Sequence, residues 1–298
     1  MSYIIGILFA ISAGCFINLG VLLQKKVIND HLEDPEFLKS LTKSRIWVLG
    51  MIIQMILGGL LFYMLAQAFL GPALVPGLMS AGMIVLAIGS TKILGETLKK
   101  EEITGILLMI VGIFIFSMSE LSIDVTTYNF LDSGFILRIS IFTATYLLTA
   151  FIFKYFAGKD AKFKGILYAM VSGMIYSLTS IWIGPLVSTI THIFGGTLNL
   201  AELILFIPAA VITIFATIFG VVYAQNSFRE GQANLLSPLI GVPGQITPIM
   251  GYFLVFILTP PTIFSIIFMI LGLVIITAST FLLATRQVKL EGIQAESS

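Results

Sequence analysis

Residues 235–248 read LLSPLIGVPGQITP, and the apolar run continues through MGYFLVFIL to Leu258. Pro238, Pro243 and Pro248 each lack a backbone N–H and collide with the preceding helical turn, yet the residues around them are apolar enough for lipid. Only helices and closed barrels satisfy their backbone polar groups across a bilayer. A barrel would show alternating strands of about ten residues, whereas this stretch and its neighbours are unbroken apolar runs. The segment therefore reads as an interrupted membrane helix in an all-α integral membrane protein.

The rest of the chain agrees. Of 298 residues, 58% are hydrophobic and 10% charged, against roughly a quarter charged in soluble domains; mean hydropathy is +1.06. With about 20 apolar residues per crossing, nine spans are predicted: 3–24, 46–70, 72–95, 103–119, 134–157, 165–189, 200–225, 234–258 and 262–285. The first has no charged n-region and no A-x-A site, so it is expected to stay attached. Of the 16 Lys and Arg residues, only Arg138 falls toward the side of the N-terminus. Cytoplasmic loops hold positive charge, so the N-terminus is expected outside, the C-terminus inside, and the number of spans odd. The single cysteine, Cys15, excludes an internal disulfide.

GILFAISAG (6–14) resembles GILYAMVSG (165–173), LMIVGI (108–113) resembles FMILGL (268–273), and Ala66-Gln67 resembles Ala224-Gln225, all about 160 residues apart. Spans one to four then correspond to six to nine, with the fifth as a linker: residues 1–120, 121–160 and 161–298. Five spans separate equivalent helices, and an odd separation inverts the second copy, as in many secondary transporters. The triple-proline stretch acquires a counterpart in GPALVPGLMSAG, Gly71–Gly82. Paired Gly/Pro-interrupted segments in the two halves point to a transporter's binding site.

On a helix, Pro238, Gly241, Gln245, Pro248 and Tyr252 share a small, polar face. Asn18 and Gln54 lie inside their apolar runs, where an amide needs a partner; they are expected to bond each other across helices or, with Gln245, to line a neutral cavity. Pro76, Ser80, Pro238, Gly241 and Pro243 complete the predicted substrate-binding set. Gln67, Gln225 and Asn226 lie near span ends, where water is available. His31 and His192 are placed in loops as solvated residues. No Asp or Glu lies at mid-span, which argues against a proton relay or a tight cation cage. Metalloprotease, nucleophile-elbow and phosphate-loop motifs are missing, so an enzyme or an ATP-driven pump is disfavoured. No catalytic residue, metal site or cofactor is assigned.

LGETLKKEEITGILLMIVGIFI, Leu94–Ile115, resembles the end-of-repeat pattern of the drug/metabolite transporter (DMT, EamA-like) superfamily. LLQKK at Leu22–Lys26 and ALVPGLMSAGMIVLA at Ala73–Ala87 are similar to its NIPA-type magnesium transporter branch. The resemblance implies a nine- or ten-helix inverted-repeat bundle with a central cavity, and makes Glu96 the repeat-end glutamate. Two features of that branch are missing. The second span reads GGLLFYMLAQ (58–67) with no Gly-Glu pair, and the second half has LTPPT (258–262) where a closing Gly-Glu is expected. The sequence therefore predicts a multi-pass carrier in the cell membrane moving a small polar solute, with magnesium as the alternative cargo and a scramblase or assembly subunit as a further class. Its partners are the solute or ion and the lipid bilayer, with a homodimer possible and no nucleic acid.

Overall fold

Lipid gives no hydrophobic reward for pairing helices, so small residues that admit close backbone approach must organise the bundle. The computed structural model describes residues 2–70, 75–96, 98–121, 128–159, 163–196 and 199–297, and these are all-helical with no strand. Pro72 and the side chains of Gln67 and Pro76 lie outside the described residues.

Helix α1 (Ser2–Asp30) is followed by a short α2 (Phe37–Lys43). The second crossing joins α3 (Arg45–Ile52), a π-helix (Ile53–Phe62) and α4 (Tyr63–Leu70). The next segment is broken into α5 (Val75–Met79), a 3-10 turn (Ser80–Gly82) and α6 (Met83–Ile93). Then come α7 (Lys100–Ser117), α8 (Ser133–Ala157), α9 (Lys164–Gly195) and α10 (Leu200–Glu230). Finally α11 (Ala233–Met250) runs into a π-helical turn (Gly251–Val255), and α12 (Ile263–Ser297) closes the chain.

Seven of the described segments are long and apolar enough to cross a membrane: Tyr3–Asp30, Arg45–Ala66, Ser133–Ala157, Lys164–Ile190, Leu200–Glu230, Ala233–Val255 and Ile263–Thr285. The third predicted span retains only Ser80–Ile93 as an apolar helical piece, and α7 opens on the charged Lys100, Glu101 and Glu102. The outward faces carry exposed Leu137, Leu148, Phe151, Ile204 and Phe215, as a lipid-facing surface requires.

Glycine contacts recur about 160 residues apart. A Cβ on Gly14 would strike the Met79 carbonyl of the broken third segment, and one on Gly173 would strike the Ile240 carbonyl and Pro243 of α11. Gly58 sits against Ile17, and Gly220 against the Tyr176 ring. Between α7 and α12 the exchange is reciprocal: Gly112 receives Ile276, and Gly272 receives Phe116.

The ends of the two broken segments also match. Glu96 N–H bonds the Ser90 carbonyl at 3.1 Å, and Leu258 N–H bonds the Tyr252 carbonyl at 3.0 Å. The residue before each is left-handed, Gly95 at φ 70° and Ile257 at φ 52°. The second half thus makes the same turn without the Gly-Glu pair, with a β-branched residue in a region such residues rarely enter.

Four expectations change. The second span is not α-helical throughout, because a ten-residue π-helix occupies Ile53–Phe62. His192 lies inside α9 and bonds Glu202 at 2.7 Å, so it is a helical residue with a partner and not a loop residue, although its side chain stays partly exposed. Gln225 is 2% exposed, not solvated at a span end, because α10 continues to Glu230 and Phe37 and Leu41 of α2 belong to the same buried cluster as its neighbours Ala224 and Phe228. Asn18 and Gln54 do not bond each other. Asn18 donates to the Gly14 carbonyl one turn back, and Gln54 pairs with Gln24.

Candidate functional site

Two cavities adjoin at the centre of the bundle. The first, about 430 Å³, lies among α1, the first π-helix, α9, α10 and α11; its polar lining is Gln24, Gln54, Tyr176, Gln225, Ser237 and Gln245, with the hydroxyls of α9. The second, about 400 Å³, lies among α1, α4, the broken third segment, α7 and α11; its polar lining is Asn18, Tyr63, Ser80, Ser237 and Gln245. Ile17, Ser237, Gly241 and Gln245 border both. All these side chains are neutral, and no cluster of three or more His, Cys, Asp or Glu that could hold a metal occurs among the described residues.

The triple-proline helix shapes this boundary. A Cβ at Gly241 or Gly244 would meet open space, so its small face is turned to the cavities. Pro238 and Pro243 are buried and line neither cavity; Pro243 is the residue against which Gly173 packs. Each proline leaves the carbonyl four residues earlier without its helical donor, namely those of Asn234, Leu239 and Gly244, and Gly244 borders the first cavity.

Of the predicted site residues, Gln54, Gly241 and Gln245 meet at the first cavity and Asn18, Ser80, Gly241 and Gln245 at the second. Ser80 Oγ donates to the Ile110 carbonyl at 3.4 Å. The Gln245 amide has no partner among the described residues. Asn18 Nδ2 donates to the Gly14 carbonyl at 2.9 Å. A carbonyl only accepts, so that bond settles which end of the amide it takes and leaves Oδ1 uncommitted at the second cavity.

Sequence reasoning missed a buried amide chain. Trp47 Nε1 donates to Gln225 Oε1 at 3.1 Å, Gln225 Nε2 to Gln24 Oε1 at 2.7 Å, and Gln24 Nε2 to Gln54 Oε1 at 2.6 Å. The helices reach this separation because Gly20 packs on the Gly50 carbonyl and on Gln54 Cβ. The available signal was the Gly20/Gly50 pair beside three glutamines.

Charged groups gather at the end where α1 meets the start of α11. Glu96 accepts from the Ala233 amide at 2.7 Å and the Asn234 amide at 3.3 Å, supplying acceptors and negative charge to the first turn of α11. Burial raises its carboxyl above the usual range, opposed by the Ala233 bond and the nearby Lys25 ammonium. Lys25, 5% exposed, donates to the Phe228 carbonyl. Arg229 donates to the Leu32 carbonyl and lies 4.7 Å from the Phe37 ring centroid. These bonds join α1, α2 and the turn after α6 to α10 and α11 below the cavities.

A multi-helix membrane protein enclosing a neutral polar chamber beside a broken helix has the build of a membrane transporter. The chain matches the family model of the magnesium transporter NIPA over residues 1–288. It belongs to that family, and the DMT-type resemblance is consistent with it. Comparison with curated proteins and with solved structures gives no match.

Proposed function

We propose that the protein is a secondary carrier that moves Mg2+ inward by alternating access. Residues 1–120 and 161–298 form the inverted halves, 121–160 the outer loop and linker, and nine crossings leave the N-terminus outside the cell membrane. Support for the two halves comes from the recurring glycine contacts and the matched turns at Glu96 and Leu258.

The observation that carries the cargo reading, beside family membership, is the Asn18–Gly14 bond, which leaves an amide oxygen at the second cavity. Gln245, free to present its own oxygen, stands at the same cavity. Magnesium sheds water reluctantly, and a cavity without carboxylates suits an ion that keeps its shell. Six waters at about 30 Å³ each need roughly 180 Å³, well within the 400 Å³ available. The missing proton relay is no obstacle. A divalent ion crossing 100 mV gains about 4.6 kcal/mol, enough for roughly a thousandfold accumulation without a coupling ion.

Purified protein in liposomes holding a magnesium-sensitive dye tests this. Uptake should rise with an imposed inside-negative potential; flux indifferent to potential, or none, defeats the magnesium reading. The wholly neutral lining favours a second reading, a small polar solute. Potential-independent uptake of a labelled amino acid or metabolite by the same vesicles would support it.

A further inference from the structure

An indole N–H only donates, whereas a glutamine amide can be turned end for end. Trp47 therefore determines more than its own bond. Gln225 must offer it Oε1, which turns Gln225 Nε2 toward Gln24. Gln24 must receive that donor on Oε1, which turns its own Nε2 toward Gln54. Gln54 must then accept on Oε1, and the chain ends in Gln54 Nε2, which has no partner among the described residues; Gln54 is one of the residues that line the first cavity. Reversing the three amides would place an amide N–H against the Trp47 N–H. The hydroxyls of Tyr176, Thr179 and Ser180 at the same cavity can rotate to either role, and Gln245 can turn over. Gln24 and Gln225 also line this cavity with fixed amides, but both ends of each are taken up within the chain, so Gln54 is the member of the chain left with an unpaired end of imposed polarity.

We propose that Trp47 is a specificity-determining positioning residue: through Gln225 and Gln24 it holds Gln54 as an N–H donor, making the first cavity a chamber for lone-pair-bearing groups and keeping the hydrated cation on the Asn18 side. The two cavities then have opposite polarity, donor at Gln54 and acceptor at Asn18, with the turnable Gln245 between them. This rests on the magnesium reading for its effect on transport, but not for the polarity of the chain.

Two measurements on the full-length protein test it separately. In magnesium flux assays, Trp47→Phe removes the donor, lets the chain reverse and exposes the Gln54 oxygen. KM for Mg2+ should fall about three- to tenfold while kcat changes less than twofold. The gain needs that oxygen, so Trp47→Phe should have no effect in a Gln54→Leu background. A purely structural role would instead lower kcat or yield at constant KM, equally in both backgrounds, and would overturn the proposal. The second measurement needs neither variant nor flux. By NMR in detergent micelles, the side-chain amide protons of Gln24 and Gln225 should be protected from exchange at least tenfold more than those of Gln54. Equal protection overturns the polarity, whereas wild-type vesicles that move no Mg2+ while the protection pattern holds would overturn only the cargo assignment.

Discussion

Glu96 and Ala233 are 137 positions apart in the chain, yet the carboxylate of one accepts the backbone amide of the other at 2.7 Å. A residue that closes the first broken segment thereby begins the second. Glu96→Ala removes a helix cap, worth about 1–2 kcal/mol, and strips the buried Lys25 of a nearby counter-charge. Thermal unfolding in detergent should show a clear loss of stability, with Glu96→Gln, which keeps an acceptor, losing less than half as much. Equal melting temperatures for wild type and Glu96→Ala would show that the cap contributes nothing.

Glycines of the bundle should divide into two classes. An alanine at Gly14 or Gly173 drives a methyl into the Met79 or Ile240 carbonyl, and overpacking of this kind costs about 1–3 kcal/mol. An alanine at Gly241 or Gly244 meets open space, so stability should stay within about 0.5 kcal/mol while uptake falls. Melting curves and flux for the four variants decide whether α11 faces a cavity; a large loss of stability in Gly241→Ala would mean that it does not.

Ile257 is left-handed where the matching residue is Gly95. Releasing a β-branched residue from that region should stabilise Ile257→Gly by about 1 kcal/mol or more, and Gly95→Ile should destabilise by a similar amount. The opposite sign in either melt would mean that the two turns are not equivalent.

Gln245 borders both cavities without a partner among the described residues. Gln245→Ala should express and melt like wild type while initial uptake drops about tenfold, the effect of one lost hydrogen bond of about 1.4 kcal/mol. Unchanged uptake removes Gln245 from the site.

Orientation can be read with cysteines in a Cys15→Ser background. Ser40→Cys should react with an impermeant maleimide only after permeabilisation, and Asn199→Cys in intact cells. The reverse pattern would invert the topology.

The helical class and the broken segments were legible because they reside in local signals: apolar runs, prolines and glycines. Gln24 and Gln225 were not, because distance from a predicted span end says nothing about what closes over it. Their burial depends on α10 continuing to Glu230 and on the packing around α2, both tertiary effects. The π-helix at Ile53–Phe62 was equally hidden, since its side chains follow no period that distinguishes them from an α-helix at that length. Ile257 shows the converse: a turn that favours glycine was built without one, so the missing Gly-Glu pair did not mean a missing turn.

The reciprocal packing of Gly112 on Ile276 and Gly272 on Phe116 has a mechanical consequence. Each helix offers the other a glycine notch filled by a bulky side chain, isoleucine in one and phenylalanine in the other, so α7 and α12 interlock at two points. In a carrier of the proposed kind, the interlocked pair would tilt as one body and act as a fulcrum. Its resting preference would then draw on parts that differ between the matched turns, such as the carboxylate at Glu96 where the other turn has Leu258. Net flux through such a carrier would follow the electrochemical gradient whatever its joint, so Glu96 would bear only on the posture held between cycles.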